Sequence, residues 1–233
     1  TPDVDSIERK NWGVADSMHE PRTMNRRIGL LAMMSPVWFA SVYGIMVALR
    51  PDFSHLTKAI SELGSVGAPR ALAWNVLGYI VPGLCVALLG FGIRDRFARV
   101  RGVSIPAWGL IGSGLLMALS GLFPGDFENR MSTTMIVHAV GSIGSFAAFL
   151  VGALALPRVV RHAHAWRPFV APSLALVAGS IATGFLLSGS APGLCQRLGF
   201  LCFFLWVALI GYALYSDPAS SDRATPAGTI GSA

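Results

Sequence analysis

The sequence predicts an all-α polytopic membrane protein, a compact bundle of six transmembrane helices with both termini in the cytoplasm. Three observations predict this fold: a low content of charge, six uncharged apolar segments, and an uneven distribution of Lys and Arg between them. Charged residues make up 13% of the chain and hydrophobic residues 53%, and the mean hydropathy is +0.59. A soluble domain carries about 25% charged residues, so a bilayer accounts for this composition better than a soluble core does.

Six segments are long and apolar enough to cross the hydrocarbon layer, which takes about 20 helical residues. None of them contains Asp, Glu, Lys or Arg. A polar segment, 1–27, precedes the membrane domain, 28–215, and a low-complexity tail, 216–233, follows it. We expect both ends to be disordered unless a partner orders them. The predicted spans are 28–49, 71–93, 106–123, 135–156, 168–189 and 198–215.

Basic residues are concentrated in alternate loops. With the N-terminus inside, 13 Lys and Arg residues lie on the cytoplasmic side and five on the other side. Basic residues near the ends of spans accumulate in the cytoplasm, so we predict cytoplasmic termini and a location in the cell membrane, the inner membrane of a bacterium. The same rule explains the net charge of +6, so we predict no nucleic-acid partner. The cytoplasmic residues are Arg9, Lys10, Arg22, Arg26, Arg27, Arg94, Arg96, Arg99, Arg101, Arg158, Arg161, Arg167 and Arg223, and the others are Arg50, Lys58, Arg70, Arg130 and Arg197.

The longest external segment connects the first two spans and is predicted to contain a short helix. This helix would begin at Asp52 or Ser54, either of which can cap it, and would end at Gly64. Lys58 and Glu62 are four residues apart within it. We therefore expect a surface ion pair between these two side chains.

Short polar motifs near the ends of the spans form a family pattern. Ser61-Glu62-Leu63-Gly64 follows the first span, and Asn75 lies near the start of the second. Leu122-Phe123-Pro124-Gly125-Asp126 closes the third span, and His138 lies near the start of the fourth. With these motifs, residues 28–215 resemble the six-helix bacterial and archaeal membrane family catalogued as domain of unknown function 998, although an insertion at 127–131 departs from its simplest pattern. The resemblance implies a compact six-helix bundle with polar motifs on the outer side, and it implies no activity.

The predicted topology places the notable polar side chains on the extracytoplasmic side, where they can form one pocket. His138 is the main candidate, because a histidine on a small-residue helix face can act as a general base, as a metal or tetrapyrrole ligand, or as a hydrogen-bonding partner between helices. Ser142 and Ser145 continue the same face. The candidate catalytic residues are His138 with Asp126 or Glu62, and the candidate substrate-binding residues are Ser61, Asn75, Arg197 and His55.

Three of these candidates also have a purely structural interpretation. Asn75 is costly in lipid unless it is paired, so it is expected to hydrogen-bond inside the bundle. Asp126 follows a Pro-Gly turn that its carboxylate can stabilise. Arg197 can hold a lipid phosphate or form an ion pair with a carboxylate, namely Asp126, Glu128 or Glu62, and we expect the ion pair.

Small residues recur every four positions in the fifth span, at Ser180, Gly184 and Ser188. Close packing between helices explains such a stripe fully. No metal site is predicted, because the histidines are divided between the two sides of the membrane. No cofactor is predicted either, although a tetrapyrrole ligand role for His138 stays open.

These residues leave three functions open. The first is a membrane protein that binds or processes a lipid or isoprenoid-like molecule in a pocket open to the extracytoplasmic side. The alternative is a non-catalytic subunit that packs within a larger membrane protein complex, and the third is a carrier of a small uncharged or lipidic solute. The expected partners are membrane lipids and, for the second function, other membrane protein subunits. Enzyme activity stays open.

Overall fold

The structure is a computed structural model that describes residues 4–161, 163–186 and 191–217, with side chains from residue 23 onward except 185 and 186. All secondary structure in these ranges is helical. Six helices are long and apolar enough to cross a membrane, which confirms the predicted all-α protein with six spans. The helices are α1 (Val4–Ala48), α2 (Ala71–Arg96), α3 (Ser104–Leu122), α4 (Thr133–Val160), α5 (His164–Gly184) and α6 (Pro192–Tyr215).

Helices α1 and α6 begin farthest before the starts that the apolar pattern predicts. Helix α1 begins at Val4, so the polar segment that we expected to be disordered is helical from that residue onward. The apolar part of α1 is Thr23–Ala48. Helix α6 begins at Pro192 rather than at residue 198. A proline suits the first turn of a helix, and Arg197, where the apolar run stops, is hydrogen-bonded within the protein. Residues 218–233 of the predicted tail lie outside the described residues.

Three pairs of helices pack so closely that only glycine fits at their crossings. A Cβ atom built on Gly83 of α2 would lie 2.6 Å from the Gly114 carbonyl oxygen of α3. A Cβ atom on Gly109 of α3 would lie 2.6 Å from the Gly152 Cα of α4, and α1 and α6 cross through a glycine in each helix. Small residues let helices in a membrane approach to this distance. The crossings therefore join α2, α3 and α4 into one tightly packed group, and α1 with α6 into another.

The end of the bundle at which α6 finishes, called here the terminal end, is closed by a buried carboxylate. Asp217 is 4% exposed and accepts hydrogen bonds from Arg96 Nε and from Trp166 Nε1, both at 2.5 Å. Arg96 ends α2, Trp166 lies in the first turn of α5, and Asp217 follows α6, so one side chain joins three helices. Asp217 lies in the predicted low-complexity tail, where nothing in the sequence marks it.

We expect Asp217→Asn to lower the free energy of unfolding by about 1–3 kcal/mol, because it replaces charge-assisted hydrogen bonds with weaker ones. Thermal unfolding in detergent measures the change. Asp95→Asn is the matched control, since the Asp95 carboxylate is exposed and accepts a surface hydrogen bond from Asn25, at 2.7 Å. The control should change the free energy of unfolding by less than about 0.5 kcal/mol. Equal losses in the two variants would contradict the joining role of Asp217.

At the opposite end of the bundle, called here the loop end, the connecting segments contact one another. Val66 N donates to Gly125 O at 3.0 Å, which joins the loop after α1 to the loop after α3. Ile60 N donates to Gln196 Oε1 at 2.7 Å, which joins the first of these loops to α6. The predicted site residues all belong to these segments or to the adjacent helix turns. They therefore share one end of the bundle, as the order of the spans requires.

The short helix predicted in this loop is present and ends at Gly64 as predicted, but its predicted start at Asp52 or Ser54 is wrong, because only Ile60–Gly64 is helical there, as one short 3-10 turn. The Glu62 carboxylate accepts the backbone N–H three residues earlier, at 2.8 Å, and so caps this turn. Lys58 Nζ lies 3.7 Å from Asp52 Oδ2, so the predicted Lys58–Glu62 ion pair is wrong too. The pKa of the exposed Asp52 is lowered, mainly by a backbone hydrogen bond in its own turn, with help from the neighbouring basic side chains.

Candidate functional site

A cavity of about 350 Å³ lies between the helices near the loop end. Its size and its mostly apolar wall are typical of small-molecule pockets, which measure about 300–1,000 Å³. Two predicted site residues, Ser61 and His138, line the cavity, and the other five lie outside its lining. The polar residues of the wall are Ser61, Tyr79, Ser120, His138, Ser142, Ser145, Ser180 and Gln196.

The cavity opens at the side of the bundle, between α4 and α5. Ile143 of α4 lines the cavity and is 71% exposed, and Gly184 of α5 lines it and is exposed as well. Both residues lie in apolar parts of their helices, where the outer surface faces lipid if the helices span a membrane. From Met135 to Phe146, the lining residues of α4 extend over about 16 Å of helix. The cavity is therefore elongated along α4.

Two short π-helical segments border the cavity, Asn75–Ile80 in α2 and Ala182–Leu186 at the end of α5. Each contributes a residue to the wall, Tyr79 from the first and Gly184 from the second. Pro82 explains the first segment, because a proline has no N–H to offer the carbonyl four residues earlier and the hydrogen-bond ladder shifts. Such segments are frequent at functional sites.

The His138 ring is held by two carbonyl groups. Its Nδ1 lies 3.0 Å from Ser120 O and 3.0 Å from Phe123 O, both at the end of α3. Because a carbonyl oxygen only accepts, Nδ1 carries the hydrogen, and in the neutral ring Nε2 is an acceptor. Within the described residues, Nε2 has no hydrogen-bond partner. His138 thus joins two helices through one nitrogen and leaves the other for a ligand.

Three serine hydroxyl groups of the cavity wall have hydrogen-bond partners within the protein, and a fourth is buried without one in the described residues. Ser120 Oγ and Ser142 Oγ bond each other at 3.1 Å, and Ser145 Oγ donates to Ser113 O at 2.8 Å. Ser180 is 1% exposed, and its Oγ has no hydrogen-bond partner in the part of the chain that the structure describes. A buried hydroxyl without a partner costs about 1–3 kcal/mol. A ligand group that bonded Ser180 would remove that cost.

The close helix packing predicted for the stripe of Ser180, Gly184 and Ser188 is wrong in its described part. A Cβ atom on Gly184 would come no nearer than 3.9 Å to Phe146, an ordinary van der Waals contact. The large ring of Phe146 holds α4 and α5 apart, so Ser180 and Gly184 line the cavity instead of a helix crossing. Ser188 lies outside the described residues.

The two carboxylates predicted to assist His138 bond to backbone groups of their own turns. Glu62 caps the 3-10 turn described above, and Asp126 Oδ1 accepts from Asn129 N at 2.9 Å. Neither carboxylate lines the cavity or bonds the His138 ring. A carboxylate–histidine pair would require these turns to move, so the catalytic role of the three residues stays a prediction.

Asn75 holds the loop after α1 against α2. Its Nδ2 donates to Gly64 O at 2.9 Å, and the residue is 3% exposed. A Cβ atom on Gly64 would lie 2.5 Å from Trp74 Cδ1, so the close approach requires glycine. The hydrogen bond inside the bundle is therefore present, while the substrate-binding role of Asn75 stays a prediction.

Arg197 bonds to neutral oxygen atoms, so its predicted ion pair with a carboxylate is wrong. Its Nε donates to Tyr43 Oη at 2.6 Å and its Nη1 to Lys58 O at 3.0 Å. Tyr43 Oη also lies 2.7 Å from His55 Nδ1. Because α6 begins at Pro192, Arg197 lies one turn inside the helix and reaches the loop carbonyl before any carboxylate. Arg197 and His55 thus tie the loop to α1 and α6.

The aromatic part of the wall is the part that sequence reasoning missed. Phe127, Phe146, Phe200, Phe203 and Tyr79 line the cavity. In the sequence they resemble any aromatic residue that faces lipid or core, and only the serines on one face of α4 indicated a polar groove. Among the residues described, no group of three His, Cys, Asp or Glu side chains lies close enough to hold a metal ion.

Six helices that can span a membrane, with a cavity between them, define a multi-pass membrane protein. The chain belongs to the family described as protein of unknown function DUF998, whose family model matches residues 33–213. The match extends from the first spanning helix to the last, so the family resemblance found in the sequence is confirmed. No curated protein and no solved structure matches the chain.

Proposed function

We propose that this protein binds a lipid or isoprenoid-like molecule in the cavity between α4 and α5. The observation that supports this most is the shape of the cavity, elongated, mostly apolar and open at the side of the bundle. A molecule that reaches such an opening arrives through the bilayer and is itself apolar over most of its length. The aromatic and aliphatic wall would bury that apolar part, which is favourable at about 25 cal/mol per Å².

In this proposal the loop end faces the extracytoplasmic side of the cell membrane and both termini lie in the cytoplasm. The loop after α2 contains Arg99 and Arg101, and Arg94 and Arg96 precede it at the same end of the bundle. Basic residues next to spans favour the cytoplasm. The cavity would then lie in the outer half of the bilayer.

We propose that the protein binds its ligand and does not convert it chemically. No carboxylate belongs to the part of the cavity wall that the structure describes, so His138 has no acidic partner there of the kind that commonly orients a catalytic histidine. His138 and Ser61 would instead contact the polar end of the ligand. The subunit and carrier alternatives stay predictions, because the exposed apolar side chains would contact lipid in all three cases.

We expect the purified protein to carry a lipidic molecule that mass spectrometry of its organic extract identifies, and we expect Ala139→Phe to lose that molecule. Ala139 lines the cavity, so the added ring would occupy the space of the ligand. Val140→Phe is the matched control, because Val140 is 58% exposed and lies outside the lining.

Comparison of the molecule bound to the wild-type protein, to Ala139→Phe and to Val140→Phe tests lipid binding directly. If the wild-type protein carries no molecule that Ala139→Phe lacks, or if the control loses it equally, the lipid-binding proposal is wrong. A visible absorption band in the wild-type protein that disappears in Ala139→Phe would identify a tetrapyrrole ligand instead.

A further inference from the structure

We infer that the ligand is a membrane lipid larger than the cavity, whose head group enters the cavity while its chain leaves through the opening beside Gly184 and stays in the bilayer. This rests on the proposed function and adds which part of the lipid the protein encloses. Three properties of the cavity support it, namely the position of the opening, the closure of the cavity toward the terminal end, and the volume.

The opening is confined to one place on the side of the bundle. Among the described lining residues, Ile143 of α4 and Gly184 of α5 are the exposed ones. A Cβ atom built on Gly184 would come no nearer than 3.9 Å to the Phe146 ring. The missing side chain of Gly184 therefore leaves a gap between the apolar parts of α4 and α5, wide enough for a lipid chain to pass.

Aromatic side chains close the cavity toward the terminal end. Phe203 lines the cavity, and the fully buried Phe149 packs against it with ring centroids 4.8 Å apart. Phe149 also packs against Trp206, at 5.1 Å, and both of these rings lie beyond the lining. A chain cannot continue between the helices past these rings, so it has to leave sideways through the opening.

The polar residues of the wall that lie near the loops would hold the head group. The His138 ring packs edge-on against the Tyr79 ring, with centroids 6.0 Å apart. Gln196, in the second turn of α6, accepts a hydrogen bond from Ile60, the neighbour of the lining residue Ser61. Counted along α4, the opening lies about 8 Å farther from the loop end than His138. A lipid with its head group against His138 would thus direct its chain toward the opening and the middle of the membrane.

The volume of the cavity limits how much of a lipid it encloses. A protein cavity of about 150 Å³ binds one benzene molecule, and the cavity here measures about 350 Å³. In the same proportion it encloses about 14 non-hydrogen atoms, fewer than a membrane lipid contains. The rest of the chain would remain in the bilayer, where its surroundings stay apolar whether or not the head group is bound.

Three alcohols that differ in the number of isoprene units test this with the whole chain in lipid nanodiscs. They are geraniol, which is small enough for the cavity to enclose, and the longer farnesol and geranylgeraniol. Each offers a hydroxyl group that can donate to His138 Nε2. Affinity is expressed per mole fraction of the alcohol in the lipid, which removes the effect of partition into the nanodisc. We expect geranylgeraniol to bind within about threefold of farnesol, because the added unit stays in lipid in both the free and the bound state.

A phenylalanine at the opening should act on the long alcohol alone. We expect Gly184→Phe to weaken geranylgeraniol binding roughly tenfold or more, since the ring would fill the gap, and to leave geraniol binding within about threefold of the wild-type value. Gly44→Phe is the matched control, because Gly44 is exposed on α1 and lies outside the lining. A Cβ atom there would meet no described atom within 4 Å. The control should change neither affinity.

The outcomes separate this inference from the function on which it rests. Geranylgeraniol binding tenfold weaker than farnesol binding in the wild-type protein would mean that the ligand is enclosed, which overturns the inference and leaves lipid binding in place. Unchanged geranylgeraniol affinity in Gly184→Phe, or an equal loss for geraniol or in Gly44→Phe, would overturn the assignment of the opening. Failure of all three alcohols to bind would overturn both the inference and the proposed function.

Discussion

A Gly114→Leu variant is expected to lose its folded structure, with a cost at or above the upper end of the range of about 1–3 kcal/mol for overpacked side chains. A Cβ atom at this position would lie 2.5 Å from Ala87 N and 2.9 Å from Ala87 Cβ of α2. These are backbone and near-backbone atoms, so the clash is relieved only if the two helices separate. Helix association in a membrane depends on such close packing, and no alternative contact replaces it.

Size-exclusion chromatography and thermal unfolding in detergent measure this loss. Gly112→Leu is the matched control, because it makes the same change two positions earlier on α3. A Cβ atom on Gly112 would meet only Ala148 Cβ, at 3.8 Å. We expect the control to remain folded and to gain up to about 1 kcal/mol from better helix propensity. Similar behaviour of the two variants would contradict the glycine crossing between α2 and α3.

The six helices could be predicted from the sequence because the thickness of the membrane sets the length of an apolar span whatever its neighbours are. Their crossings could not. Gly112 and Gly114 stand in the same apolar helix with the same composition around them, yet only Gly114 meets a backbone. Likewise, the small residues Ser180 and Gly184 indicated close packing, and in the structure they border a space. A small side chain permits contact but does not require it.

The polar candidates show a second limit of the sequence. Topology brought His138 and Ser61 to one cavity, because long-range placement follows from the order of the spans. The partners of Glu62, Asp126 and Arg197 were decided by backbone groups within a few ångströms. A turn offers its own N–H and C=O groups to such side chains before a distant residue reaches them. Residue type and spacing do not reveal that local competition.

Replacement of His138 by Asn and by Ala is expected to separate its two roles, and each role depends on one ring nitrogen. Asn places a donor near the position of Nδ1, so His138→Asn should keep the hydrogen bonds to Ser120 O and Phe123 O that join α3 to α4. It has no equivalent of Nε2, so a ligand contact made by that nitrogen should be lost. His138→Ala removes both nitrogens and leaves the two carbonyl groups with one partner fewer, at a cost of about 1–3 kcal/mol.

Mass spectrometry of the co-purified lipidic molecule and thermal unfolding, measured on both variants, report the two roles independently. We expect His138→Asn to unfold within about 0.5 kcal/mol of the wild-type protein while carrying roughly tenfold less of the lipidic molecule. His138→Ala should lose stability and binding together. If His138→Asn is as unstable as His138→Ala and still carries the lipidic molecule, the ring serves only to join the helices. The cavity would then hold its ligand through its aromatic wall and its other polar side chains.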